Sequence, residues 1–201
     1  MTRLKILLIG TAVILGSFLV LWAPWRGSGK GVSRLFWSDS FHYQALRAMG
    51  HSMYQGASPG EALSVISRIG DQDENAWYAE WREMGGKCEQ WAEKTADPVS
   101  RGNALLRASN YYRASEFFLP PADPRKRAVY ERSVQTFRGA LSALGIQHTA
   151  YSIPWEQATM TTYYFRGRGD APLVLVCGGF DSTNEESYFW IGKALIDRGY
   201  S

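Results

Sequence analysis

The sequence predicts a mixed α/β protein: a long helical region leads into the first strands of a sheet, and an apolar helix fit to cross a membrane stands in front. Three observations predict this. Ile6 to Trp22 carries no charge and is almost wholly apolar. Between about 38 and 144, apolar residues recur at spacings of three and four behind repeated helix-start signals. After Gly145 the period shortens to that of strands, and the run LVLVCGGFDS ends a strand on two glycines, an aromatic and an aspartate.

The N-terminal run, with Leu4, Ala23 and Pro24 around it, is long enough for a bilayer core of ~30 Å. Arg3 and Lys5 precede it, and Trp22 and Trp25 sit at interface depth. A cleaved signal peptide shares the charged start, but this run is long and no A-x-A site follows. Residues 1–25 are therefore read as a single-pass membrane anchor, with a secreted or periplasmic location if the segment is cleaved. Arg26, Lys30 and Arg34 flank the other end, so the charge pattern leaves orientation open. Residues 26–37 form a linker that begins RGSGKGVS. Its GSGK is not a phosphate loop, because Pro24 stands where the first glycine belongs and Gly31 replaces the metal-holding Ser or Thr.

Residues 38–145 form the expected helical domain. Ser58-Pro59 with Glu61 reads as a capping box, and Asp97-Pro98 and Asp123-Pro124 as N-caps followed by proline. Gly70 and Gly145 suit helix ends. Trp77, Trp81, Met84, Cys88 and Trp91 share one helix face; Tyr130, Val134, Phe137, Leu141 and Leu144 share another. Residues 146–201 carry the expected sheet. His148–Ile153 and Thr159–Phe165 read as strands about a Pro154-Trp155-Glu156 turn. Leu173–Cys177 reads as a strand buried on both faces. Residues 184–198 then read as a helix, with a further strand expected after Tyr200.

The 201 residues carry a net charge of +3 without a basic block, so nucleic acid is not an indicated partner. Cys88 and Cys177 make no disulfide framework and are read as free thiols, Cys177 buried in its strand. His42, His51 and His148 stand at no metal-ligand spacing and are read as packing or surface residues. Glu185 and Glu186 are read as a solvated face where negative charge suits a helix start. The G-x-S-x-G at Gly56–Gly60 is no nucleophile elbow, because Pro59 lacks the backbone N–H that would serve an oxyanion. The turn Gly178-Gly179-Phe180-Asp181 is different. It lies at the carboxyl end of a strand, where open α/β sheets bind ligands, and its N–H groups can face a crevice. Taken alone it reads more readily as an ordinary strand-to-helix turn capped by Asp181 or Ser182.

An ordered set of motifs goes further: Gly70-Asp71, Trp77-x-x-x-Trp81, Arg107-Ala-Ser-Asn110-Tyr111-Tyr112-Arg113, Glu116-Phe117-Phe118, Asp123-Pro124-Arg125 and Gly178–Ser182. Together they resemble the branch of the α/β-hydrolases that carries a helical domain before the catalytic sheet. The branch includes the fermentation–respiration switch esterase, dihydroxypseudooxynicotine hydrolase and fungal hydrolases that shorten polyketide pigment precursors. The resemblance spans roughly residues 38–201. It implies a truncated α/β-hydrolase sheet behind a helical cover domain, acting on a small-molecule ester or ketone without metal or organic cofactor. It implies Gly179 and Phe180 as oxyanion donors, with Gly178, Asp181 and Ser182 supporting the turn. Tyr111, Tyr112 and Phe117 become candidates for the substrate pocket, or for packing of cover against sheet.

In that family the nucleophile, acid and histidine all follow the oxyanion turn. The expectation is therefore an N-terminal portion of a serine hydrolase, whose Ser-Asp-His triad lies beyond residue 201. Whether this chain is itself an enzyme stays open. The alternatives are a membrane-anchored helical binding module without catalysis and a degenerate inactive fragment. Dimerisation through the helical domain is left open as well.

Overall fold

The computed structural model describes residues 34–201 of the chain. Five helices come first: α1 (Asp39–Gly50), α2 (Pro59–Ile66), α3 (Glu74–Lys94), α4 (Pro98–Ser115) and α5 (Pro124–Ala143), with a 3-10 turn at His51–Tyr54. Strands β1 (His148–Trp155) and β2 (Ala158–Phe165) follow as an antiparallel hairpin. Short helices α6 (Asn184–Ser187) and α7 (Lys193–Asp197) flank a π-helical turn at Tyr188–Gly192.

Local chemistry explains most boundaries. The Asp97 and Asp123 carboxylates accept from the Ser100 and Arg125 N–H groups at 2.7 and 2.9 Å, satisfying donors that the first helical turn leaves free. Each is followed by proline at a position that needs no donor. Gly145 (φ +65°) ends α5, with Ile146 N–H returning to Leu141 C=O at 2.9 Å. The Ser58 cap differs from the expected capping box: its side chain makes no cap hydrogen bond. Glu61 instead takes Arg107 Nε at 3.0 Å and Tyr111 OH at 2.7 Å. A charged partner on α4 outcompetes the local N–H.

The core follows the first predicted face, and the second only in part: Phe137 and Leu141 are buried, Val134 and Leu144 half-buried and Tyr130 exposed. Trp77, Trp81, Met84 and Cys88 are buried, while Trp91 is exposed. Trp77 lies edge-on to Phe41 and Phe118, and its Nε1–H donates to Ala114 C=O at 2.7 Å. A second cluster joins Phe137, Leu141 and Leu106 of the helices to Tyr188 and Phe189 of the π turn.

The expected fold class requires correction. Among the described residues the sheet is a two-stranded hairpin, and the described part of the molecule is helix-rich. Its turn is Glu156-Gln157, with Glu156 at φ +51°; Pro154 lies within β1, opposite Thr159. Leu173–Cys177 forms no strand, Leu175 is 83% exposed, and Cys177 is an exposed free thiol rather than a buried one. A strand is stabilised by neighbours, and this run has few. Val174 N–H donates to Ser201 C=O at 2.8 Å and Ser201 N–H to Pro172 C=O at 3.3 Å, one step of parallel pairing.

The expected transmembrane helix is also corrected, and with it the single-pass membrane localisation and the membrane as partner. No helix among the described residues is long and apolar enough to cross a membrane. Residues 1–25, on which that expectation and the secreted or periplasmic alternative rested, lie outside the described residues.

Two adjacent glycines of α3 allow a paired test of the core. A Cβ on Gly85 would stand 2.8 Å from the Tyr112 ring, whereas on Gly86 it meets only Tyr112 OH at 3.6 Å. Helix propensity favours alanine at both, by ~1 kcal/mol. Overpacking at Gly85 costs about 1–3 kcal/mol and reverses the sign. Chemical denaturation should therefore show Gly85→Ala destabilised and Gly86→Ala slightly stabilised.

Candidate functional site

The turn at 178–182 is held by the helices, through charges that lie far apart in sequence. Thr183 caps α6 by accepting from Glu186 N–H at 3.2 Å, which orients the Glu186 side chain toward α1. There Arg47 meets it with two donors, Nε to Oε1 and Nη2 to Oε2, both at 2.6 Å. This two-pronged geometry suits a planar guanidinium on a carboxylate. Arg47 Nη1 reaches on to the Asp181 carboxylate at 2.8 Å. Arg113 of α4 donates through Nη2 to the Asp181 backbone C=O and through Nη1 to Glu116 Oε1 at 2.7 Å. Lys126 adds a second cation to Glu116 at 2.6 Å.

Glu185 and Glu186 are thus not the solvated pair that the sequence suggests; they are 3% and 5% exposed. They face opposite ways. Glu185 Oε1 accepts from Tyr163 OH of β2 at 2.7 Å, tying the hairpin to α6. Burial works against the Arg47 charge, but Glu186 and then Asp181 outweigh it and hold the guanidinium above its ordinary range. Partial burial would push the Asp181 carboxyl up; the Arg47 hydrogen bond and charge pull it further, to below the usual carboxylate range.

His51 and Asn110 complete the arrangement. Asn110 Nδ2 donates to the carbonyls of Ala48 and Gly56 at 3.0 and 2.8 Å. Its Oδ1 therefore faces His51 Nδ1 at 2.8 Å, and the ring nitrogen must be the donor. His51 Nε2 lies 3.8 Å from Glu186 Oε1, and Phe189 stacks on the ring at 5.3 Å. Gly56 leaves room for Phe189, whose ring a Cβ would meet at 2.6 Å. Asn110 and Arg113 stood in the predicted motifs, as did the Arg113 partners Glu116 and Asp181, but the Asn110 partners did not; Arg47 and His51 carried no signal beyond residue type.

The predicted site residues fall into two groups. Gly178 must be glycine, since a Cβ there would stand 2.6 Å from Ser182 Cβ. Gly179 is open, and the Phe180 side chain is fully exposed. Ser182 N–H donates to Gly179 C=O at 3.2 Å, closing a β-turn. Among the described residues, the Gly179 and Phe180 N–H groups make no hydrogen bond. Tyr111 and Tyr112 are buried core residues, engaged with Glu61 and Glu89 respectively. Phe117 borders a small void of about 10 Å³ shared with Gln44, Arg47, Trp77, Arg113 and Glu186. An apolar cavity of about 300 Å³ lies between β2, residues 173–176 and α7, lined by Phe137, Tyr163, Phe165 and Leu195 among others. Among the described residues no cluster of His, Cys, Asp or Glu could hold a metal. Cys88 is buried, and burial followed by the Glu61 charge pushes its thiol up to about 12, far from a reactive thiolate.

No protein-family model matches the chain. It is 37% identical over 180 residues to the 20-hydroxy-prefusarin hydrolase FUS2 of Gibberella moniliformis, covering 84% of this chain and 43% of the relative. It is 36% identical over 186 residues to the hydrolase acrC of Aspergillus aculeatus, covering 82% and 44%. The solved structure of a 2,6-dihydroxy-pseudo-oxynicotine hydrolase superimposes with a TM-score of 0.59 at 23% identity, covering 76% of this chain and 43% of that one. That likeness is one of fold. The chain belongs to the α/β-hydrolases. Within them it falls in the branch that the helical and glycine-turn motifs indicated, beside the fungal hydrolases. It spans about two fifths of the length of the curated relatives it matches.

The buried imidazole sets a pH dependence. Burial, the largest influence, lowers the His51 pKa below its ordinary value of about 6.5 despite Asn110 and Glu186. The unfolded chain then binds a proton below about 6.5 that the folded chain refuses, so stability is full above that pH and falls below it. The thermal midpoint should drop between about pH 7 and 5, and by less in His51→Asn. Asp181 titrates below this window.

Proposed function

We propose that residues 38–145 form the cover and residues 146–201 the first part of the catalytic layer of a serine hydrolase. Its substrate is a small organic molecule with a carbonyl at the bond to be cut, an ester or a carbon–carbon bond beside a ketone. The names of the relatives, hydrolases of 20-hydroxy-prefusarin and of 2,6-dihydroxy-pseudo-oxynicotine, support that substrate class.

The observation that carries the reading is at the turn. Asp181 and Ser182 are committed to Arg47, Arg113 and Gly179, while the Gly179 and Phe180 N–H groups make no hydrogen bond among the described residues. Unengaged backbone donors on a braced turn are what an oxyanion hole requires: they stabilise charge that appears on the carbonyl oxygen when a nucleophile adds. Gly179 and Phe180 are the donors in this reading. Gly178 lets the chain turn, and Asp181 and Ser182 fix it. Phe117 is the residue of the cover best placed near the braced turn; Tyr111 and Tyr112 support the cover from within. The seryl nucleophile, its acid and its histidine come from chain beyond residue 201.

Residues 1–201 alone should neither hydrolyse a p-nitrophenyl ester nor be labelled by a serine-directed phosphonate. Joined to the segment encoded after codon 201, the protein should do both. Phosphonate-sensitive turnover by the 201-residue chain would contradict the assignment.

A further inference from the structure

The turn is braced from one side by a residue that no motif singled out. Arg47 sits near the end of α1, more than 130 residues before the turn. Two of its donors are fixed on Glu186 at 2.6 Å, in the first turn of α6, and a third reaches the Asp181 side chain at 2.8 Å. One guanidinium therefore spans the junction between glycine turn and helix and gives both carboxylates a common anchor. The guanidinium is planar, so its donor directions are fixed; a lysine at this place could offer charge but not the same fork.

The effect on the backbone follows from the peptide joining Asp181 and Ser182. Its C=O is taken by Arg113 and its N–H by Gly179 C=O at 3.2 Å. With the Asp181 side chain also held, the peptide cannot rotate without breaking a charged contact. The Gly179 C=O that accepts from Ser182 N–H shares its peptide with the Phe180 N–H, so that peptide keeps one orientation. Glu186 is buried and Arg47 mostly so, which keeps water from competing for the two bonds between them, whereas the Asp181 carboxylate at the end of the third is 47% exposed.

We infer that Arg47 is a positioning residue: it orients the Phe180 and Gly179 amides through Asp181 and Glu186, and so couples the helical cover to the oxyanion turn. The inference rests on the hydrolase reading of that turn. It concerns geometry, so it can be tested apart from turnover.

Removing Arg47 alone leaves the buried Glu186 with only Arg113 Nε, 3.8 Å away, as a cationic partner, which can unfold the protein. Arg47→Met with Glu186→Gln removes both charges and keeps the fold testable, and Asp181→Asn removes only the arm to the turn. Amide exchange and ¹H–¹⁵N shifts of the 201-residue chain are the first readout. Both variants should speed exchange at Ser182 by about tenfold and shift the Gly179 and Phe180 amides, while α3 amides stay protected. Combining them should add little, because one brace is lost in each case. Turn amides unchanged in a folded Arg47→Met/Glu186→Gln protein overturn the inference.

The second readout is turnover by the protein joined to its nucleophile-bearing segment. There kcat should fall by about 100-fold with KM little changed, since misplaced donors act on the transition state. Arg47→Lys should recover only part of the loss. Displaced turn amides with unaltered kcat would leave the brace standing but remove the oxyanion reading, and the positioning role with it.

Discussion

The two-pronged contact between Arg47 and Glu186 is the constraint on which the functional end of this molecule depends. Glu186 is buried at 5% exposure beside a histidine and an asparagine, and a lone carboxylate there would be costly. Arg47 removes that cost and in doing so fixes where α6 begins relative to α1. The Gly178–Ser182 turn precedes α6 directly, so its place is set by the same pair. Arg113 and Asn110 extend the hold from α4, one toward the Asp181 carbonyl and the other toward the loop that follows α1. The helical region thus sets the backbone that the proposed chemistry uses.

This dependence explains why aromatic packing and charge are interleaved here. Phe189 enters from the π turn and stacks on His51, and Tyr188 lies edge-on to Phe137 at 5.2 Å. Phe189 covers the His51 ring beside Glu186, Trp77 and Phe117 border the Arg47–Glu186 pair, and low local polarity strengthens their charged hydrogen bonds. Glu185, turned the other way, ties the β2 Tyr163 to the same helix. The apolar and ionic contacts hold one element in one position from two sides.

Much of the helical part was legible because its determinants are local. Asp97, Asp123 and Gly145 act within a turn of their own helices, and the Trp77–Cys88 face follows from spacing alone. The hairpin was legible in kind, and its turn was displaced by two residues because Pro154 tolerates an exposed strand position. Glu186 was not legible. Two adjacent glutamates at a helix start suit solvent by every local rule, and their burial depends on an arginine 139 residues away. Leu173–Cys177 failed for a related reason. Its composition suits a buried strand, but pairing begins only at Ser201, and a strand's state belongs to its neighbours. At the turn the family resemblance drew attention to Gly178–Ser182; of the arginines on Asp181, Arg113 stood in a quoted motif, whereas no spacing disclosed Arg47.

The most direct measurement is hydrogen exchange of the arginine Nε–H protons by ¹⁵N NMR. Arg47 Nε–H is buried on Glu186, whereas Arg127 Nε–H bonds Glu131 on an exposed surface with a side chain 86% accessible. Exchange at Arg47 should be at least about tenfold slower than at Arg127. Equal rates at the two sites would contradict it, because an arginine open to water could not fix the turn.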